Sequence, residues 1–193
     1  MTDIVIKNLS KRYGELLVLD GFSAHFAGGK TTCVMGRSGC GKTTLLRLLL
    51  GLERADGGKI TGVPARCSAV FQEDRLCPEF SAIENVRIAA PRRTGEEIRA
   101  TLSALLLDGE AQEKPVSELS GGMRRRVAIA RALLAEGELL LMDEPFKGLD
   151  EATRDAVLAY VKRATAGRTV ILVTHDEAEA KALAAPILYL GEL

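Results

Sequence analysis

The sequence predicts an α/β fold built on a parallel sheet, opened by an antiparallel β segment and interrupted by a block of helices. Three observations predict it. A glycine-rich loop joins an apolar run to a helix at residues 36–43. Strand-like and helix-like stretches alternate on both sides of a helical stretch at residues 73–136. Three of the expected strands end in chemically loaded residues.

The loop Gly36-Arg37-Ser38-Gly39-Cys40-Gly41-Lys42-Thr43 fits the spacing G-x-x-x-x-G-K-[ST] at every position, which is the pattern of a phosphate-binding loop. It follows the apolar run Thr32-Cys33-Val34-Met35 and leads into Thr44-Leu45-Leu46-Arg47-Leu48-Leu49-Leu50, good helix material ended by Gly51. Small residues let successive backbone N–H groups curl around phosphate oxygens, and the following helix aims its positive dipole end at them. In such a loop Lys42 reaches the β- and γ-phosphates and the Thr43 hydroxyl sits on Mg²⁺. The plain alternative is a glycine-rich turn with no ligand.

Residues 3–9 and 16–26 read as strands around a turn at Tyr13-Gly14, and Gly28-Gly29 turns the chain toward the loop. After the loop helix, Asp56-Gly57-Gly58 reads as a turn, residues 59–61 as a short strand, and residues 67–71 as a buried strand ending at Gln72. From Glu73 to about Glu136 the pattern is helical. Ser81 with Glu84, and Thr94 with Glu97, match the capping box, and Ile98, Leu102, Leu105 and Leu106 fall on one helix face. Pro115 interrupts before Ser120 opens a helix through Leu134. Alternation then resumes: strand 138–142, helix 150–165, strand 169–174, helix 176–184, strand 187–190. The layout is one domain, with a core at 1–72 and 137–193 and a helical subdomain at 73–136.

A chain of 193 residues with 26 basic and 26 acidic side chains carries no net charge, which argues against a polyanion such as nucleic acid as its main partner. Arg92-Arg93 and Arg124-Arg125-Arg126 read as short solvated helix faces. Cys33, Cys40, Cys67 and Cys77 form no C-x-x-C pair and have no neighbouring His cluster, so free thiols in a reducing cytoplasm are expected. The first residues lack a signal-peptide pattern, and no apolar run reaches the length of about 18 that spans a bilayer, so a soluble polypeptide is expected.

Ligands of open α/β sheets bind at the carboxyl ends of the strands. Leu139-Leu140-Leu141-Met142-Asp143 is an apolar strand ending in an acid suited to Mg²⁺, with Glu144 beside it as candidate general base; an acidic turn before Pro145 is the bland reading. His175 follows a third apolar run. Thiolate-favouring surroundings are expected for Cys40, at a helix N-terminus beside Lys42.

The stretch Leu119-Ser120-Gly121-Gly122-Met123-Arg124-Arg125-Arg126-Val127-Ala128-Ile129-Ala130-Arg131 resembles the signature motif of the ATP-binding-cassette family. The other pieces resemble that family in order and spacing, over nearly the whole chain. By this resemblance Tyr13 is the adenine-stacking aromatic, residues 36–43 the Walker A loop with Thr44 after it also binding the nucleotide, Gln72 the Q-loop, residues 139–144 the Walker B strand, Gly148-Leu149-Asp150 the D-loop and His175 the switch histidine. Taken singly, Tyr13, Gln72 and His175 also read as a turn aromatic, a surface amide and a core or helix-capping histidine.

The resemblance implies a P-loop NTPase (RecA-like) core that binds ATP and Mg²⁺. It implies that Lys42, Gln72, Glu144 and His175 serve catalysis, that Thr43, Gln72 and Asp143 hold the metal, that Asp150 is among the ATP-binding residues, and that a second copy, head to tail, donates Ser120, Gly121 and Gly122. Met123 stands where the signature usually has Gln, and Lys147-Gly148 where a small Ser/Thr-Ala pair is usual, which bears on cross-subunit coupling. Within the family, residues 173–180 resemble the importer pattern in which His175-Asp176 is followed by Glu177-Ala178, and residues 72–78 resemble the corresponding stretch of nitrate, sulfonate and taurine uptake ATPases. That implies separate transmembrane permease subunits, an extracytoplasmic substrate-binding protein, and a peripheral place on the cytoplasmic face of a bacterial membrane. Residues 73–80 are expected at the groove that receives a permease helix, unless Leu76 and Phe80 only seal the helical lobe. The alternatives are an exporter, lipoprotein-release or division-type cassette, a non-transport cassette and, least suited to Ser120-Gly121-Gly122, a simple P-loop kinase.

Overall fold

The computed structural model describes residues 1–191. In chain order the elements are β1 (Ile4–Tyr13), β2 (Leu16–Phe26), β3 (Thr31–Met35), α1 (Lys42–Leu49), β4 (Gly57–Thr61), β5 (Cys67–Val70), α2 (Ala82–Ala89), α3 (Gly95–Ala104), α4 (Glu110–Glu113), α5 (Gly121–Leu134), β6 (Leu139–Asp143), α6 (Glu151–Ala164), β7 (Thr169–Val173), α7 (Glu177–Leu183) and β8 (Ile187–Tyr189). β2, β1 and β4 form an antiparallel sheet in that order. The other five strands form a parallel sheet in the order β5-β6-β7-β3-β8. Among the described residues no helix is long and apolar enough to cross a membrane.

The central strands are apolar without interruption because the sheet is covered on both faces. The pleat sends alternate side chains into two separate cores. Leu140 and Met142 of β6, Val170 and Leu172 of β7, and Cys33 and Met35 of β3 join the core under α2, α3, α5 and α6. Leu139, Leu141, Ile171, Val173 and Val34 turn the other way, toward α1 and the antiparallel sheet. A one-residue slip of any of these strands would exchange the two sets.

Both expected capping boxes form. The Ser81 and Thr94 hydroxyls accept from the N–H groups of Glu84 and Glu97 at 3.2 Å, and each glutamate accepts from its cap residue's N–H at 2.8 Å. Three expectations need correction. No helix forms before Ala82, because residues 73–81 run as a loop fixed by side chains of other elements. Leu106 does not share the buried face of α3: the helix has ended, Leu106 takes a left-handed φ of 60° and points out at 47% exposure, and Leu107 fills the core instead. Gly57 and Gly58 belong to β4 rather than to a turn, since pairing with β1 extends the strand back to them.

Asn85 fixes that loop. Buried at 1% exposure, it donates from Nδ2 to the carbonyls of Cys77, Phe80 and Ser81 at 3.0–3.1 Å and accepts at Oδ1 from the Cys77 N–H at 2.8 Å. Truncation leaves the Cys77 N–H without its acceptor and takes one donor from each of three carbonyls, which keep only their backbone donors, Phe80, Val116 and Asn85. Asn85→Ala is therefore expected to lower the free energy of unfolding by about 2–3 kcal/mol, against about 1 kcal/mol for Ser81→Ala, which loses only a cap. Urea denaturation of the two variants checks the ranking.

Candidate functional site

The parallel ladder brings three strand ends to one edge. Met35 of β3 runs into the glycine loop, Asp143 pairs in register with Val173 of β7, and the Glu144 N–H donates to the Val173 carbonyl at 2.9 Å. A cleft of about 540 Å³ opens there, lined by the loop, by Gln72, Asp143, Glu144, Lys147 and His175, and by Val18 from β2. Gly41 caps α1 at φ 100°, and a Cβ there would stand 2.9 Å from Val18 Cγ1. A Cβ on Gly36 would sit 2.3 Å from the Leu190 carbonyl oxygen. The loop therefore owes its shape to close packing as well as to backbone freedom.

Lys42 lies across its own loop, its ammonium donating to the Gly36 and Arg37 carbonyls at 2.8 Å each. The Thr43 hydroxyl donates to Asp143 Oδ2 at 2.8 Å, joining the start of α1 to the end of β6. Burial pushes the Asp143 carboxyl above its ordinary range, with the Thr43 hydrogen bond opposing part of that shift. A buried acid beside a hydroxyl is a hard-oxygen donor set, and a cation there would relieve the burial cost, so the pair fits Mg²⁺.

Glu144 leaves the strand at a left-handed φ of 47°. Its Oε2 accepts from the Lys147 ammonium at 2.8 Å, and its Oε1 stands 3.6 Å from Nδ1 of His175. Burial alone would raise this carboxyl, but the hydrogen bond and charge of Lys147, with His175, outweigh it and hold the group below its ordinary value. Glu144 is thus an anion at the cleft wall.

Lys42, Thr43, Thr44, Gln72, Asp143, Glu144 and His175 come together in the cleft, with Gly36, Ser38, Gly39 and Gly41 of the loop. Other expected residues do not. Arg37 offers only its carbonyl to Lys42, and Cys40 faces a second cavity beside Val18, Phe22 and Gly191, its sulfur 3.9 Å from the Lys42 ammonium. Tyr13 is 42% exposed outside the lining, with its hydroxyl on the Glu53 carboxylate. Ser120 caps α5, accepting from the Met123 N–H at 3.2 Å, and a Cβ on Gly122 would stand 3.4 Å from Leu149 Cδ2 and 3.7 Å from the Gly148 carbonyl oxygen. Asp150 caps α6 by accepting from the Thr153 N–H at 3.0 Å. Leu76 packs on the core, whereas Phe80 stays 45% exposed.

Val18 and Lys147 were not expected in the cleft, and the expected solvation of the α5 arginines is overturned. Arg125 donates to the carbonyls of Phe71 and Gln72 at 2.7 and 2.5 Å and pairs with Asp74 at 3.2 Å. Arg131 donates to the carbonyls of Arg75 and Asp74 at 2.7 and 2.8 Å. Arg126 reaches the Leu105 and Leu106 carbonyls. The sequence signal available was the spacing of Arg125 and Arg131, which cannot show that a loop 50 residues away needs donors. Burial pushes the Asp74 carboxyl up, and the charges of Arg125, Arg124 and Arg131 only partly oppose it.

A glycine loop between a parallel strand and a helix, with its threonine tied to an acid at the end of another strand of the same sheet, defines a P-loop nucleotide-binding domain. The family model described as ABC transporter matches residues 19–147, and the chain belongs to that family. It is 42% identical over 196 residues to the aliphatic sulfonates import ATP-binding protein SsuB 1 of Paraburkholderia xenovorans (strain LB400), covering 98% of this chain and 57% of that protein. It is 42% identical over 200 residues to SsuB of Yersinia pestis bv. Antiqua (strain Antiqua), covering 99% and 73%. A dimeric structure of a post-hydrolysis state of the ATP-binding cassette MJ0796 bound to ADP and Pi matches with a TM-score of 0.86 and 26% identity, over 97% of this chain and 94% of that one.

Arg125→Ala removes two donors from the 71–74 backbone and the cation facing Asp74. Backbone amides of residues 72–75 are expected to exchange about tenfold faster, by the loss of roughly 1–2 kcal/mol of local protection. Hydrogen–deuterium exchange read by mass spectrometry checks this.

Proposed function

We propose that the chain is the ATP-hydrolysing subunit of an ABC importer, converting ATP and water to ADP and phosphate. The observation that carries this reading is the gathering of Lys42, the Thr43–Asp143 pair, Glu144 and His175 in one cleft, with the helix cap Ser120-Gly121-Gly122 outside it. On this reading the loop N–H groups and the α1 N-terminus bind the β- and γ-phosphates, and Lys42 exchanges its two loop carbonyls for phosphate oxygens. Thr43 and Asp143, with Gln72 at the cleft wall, hold Mg²⁺, which when bound offsets phosphate charge. Glu144 accepts the proton of the attacking water, and His175 holds the γ-phosphate side of the cleft. The exposed Tyr13 ring stacks on adenine.

The cleft alone is half a site. A second copy, turned head to tail, brings Ser120, Gly121 and Gly122 to the γ-phosphate and Asp150 to the seam, so two chains close over two ATP molecules. The names of the SsuB relatives favour an importer of organic sulfonates, with permease subunits as separate chains, a substrate-binding protein outside and this chain on the cytoplasmic face of a bacterial membrane. Exposed Phe80, beside the loop that Arg125 and Arg131 hold, is the permease contact.

Glu144→Gln keeps the shape of the side chain and removes the base. It is expected to bind ATP, accumulate as a closed dimer on size-exclusion chromatography, and lose at least about 100-fold in turnover. Wild-type hydrolysis by this variant would sink the assignment. Lys42→Ala should fail at an earlier step, losing nucleotide binding in fluorescence titration. Phe80→Asp should leave ATP binding unchanged while abolishing sulfonate-dependent growth of cells that rely on this transporter; growth at the wild-type rate would remove Phe80 from the contact.

A further inference from the structure

The turn after Glu144 places a lysine where it grips the candidate base. The Lys147 N–H donates to the Glu144 carbonyl at 3.3 Å, closing a tight turn over residues 144–147. Pro145 restricts the backbone within it, and Phe146, only 2% exposed, pins it to the core. Gly148 then adopts φ 81°, which carries the chain on to the cap of α6. In this turn the side chains three residues apart meet, and the Lys147 ammonium lies 2.8 Å from Glu144 Oε2. Lys147 lines the same cleft as Lys42 and His175.

Two partners hold the two oxygens of Glu144 differently. Oε2 is engaged at hydrogen-bond distance by Lys147, whereas Oε1 faces Nδ1 of His175 at 3.6 Å, beyond direct hydrogen bonding. One oxygen is fixed and the other has room for a donor such as water. A glutamate side chain left to itself samples several rotamers, so fixing one oxygen narrows where the other can stand. An ammonium on a four-carbon stem suits this role because it carries three rotatable donors and need not meet the carboxylate edge-on.

We infer that Lys147 is a positioning residue for ATP hydrolysis: by holding Oε2 of Glu144 it presents Oε1, on the His175 side of the cleft, as the oxygen that takes the water proton. The inference rests on the reading of the cleft as an ATPase site. Lys147 itself loses and gains no proton in the step; the proton passes from water to Oε1 as the water oxygen bonds to the γ-phosphorus and the bond to ADP breaks. A mere charge-neutralising role would be felt by bound nucleotide as well as by turnover, whereas positioning is felt in turnover alone.

The test uses the full chain, with ATP dissociation constants from fluorescent-nucleotide titration and hydrolysis from single-turnover assays. Lys147→Met keeps length and removes the charge; its rate is expected to fall on the order of tenfold with ATP affinity within about twofold of wild type. Lys147→Arg should recover most of the loss. In a Glu144→Gln background, Lys147→Met should cause no further loss, since the group being positioned is already gone. A Lys147→Met rate at or above wild type, an arginine variant no better than methionine, a loss confined to ATP affinity, or an additive loss in the Glu144→Gln background would each overturn the inference. Undiminished turnover by Glu144→Gln alone would instead overturn the reading of the cleft.

Discussion

A hydrogen bond from the Thr43 hydroxyl to Asp143 joins positions 100 residues apart, and the arrangement of the cleft depends on the sheet order that makes it possible. β3 and β6 are not neighbours; β7 lies between them, paired to both in parallel register. Because all three strands point the same way, their carboxyl ends reach one edge together, and residues just past those ends converge without further instruction from the chain. The uninterrupted apolar strands serve this end. Two cores, one on each face, fix the register, and the register fixes where Asp143, Glu144 and His175 emerge.

The second constraint is the loop that carries Gln72. It has no helix or strand of its own over residues 73–81, so its backbone polar groups need partners from elsewhere. Arg125 and Arg131 supply them at one end and Asn85 at the other. Since Arg125 and Arg131 project from the helix that Ser120 caps, the loop lining one cleft wall and the Ser120-Gly121-Gly122 turn are tied to the same rigid element. A displacement of α5 would carry both, a connection through guanidinium–carbonyl contacts rather than through a continuous strand.

The sequence made the strand–loop–helix core legible because period, length and glycine spacing are local signals, and both capping boxes were legible because a cap and its partner are three residues apart. The exchange of Leu106 for Leu107 in the core was not, since helix periodicity cannot say at which residue a helix stops. Nor were the roles of Arg125 and Arg131: charge runs are solvated on most helices, and only the three-dimensional path of residues 71–75 shows the carbonyls they satisfy. Val18 and Lys147 were missed as cleft residues for a related reason. Val18 arrives from the antiparallel sheet through its close approach to Gly41, and Lys147 arrives through a turn whose geometry no spacing rule states.

The position of Ser120-Gly121-Gly122 gives the half-site reading its physical content. The turn presents a helix N-terminus with a hydroxyl and two glycines, features that suit an anion, yet it does not line the cleft of its own chain. A side chain on Gly122 would meet Leu149 and Gly148, in the segment that runs directly from Lys147 to the Asp150 cap of α6. The Ser120-Gly121-Gly122 turn therefore lies close to residues 148–149, a few residues of chain beyond the turn carrying Glu144. If a second copy meets this face by two-fold symmetry, each chain must offer its turn and receive the other's in one motion, because the two contacts are the same contact seen from opposite sides.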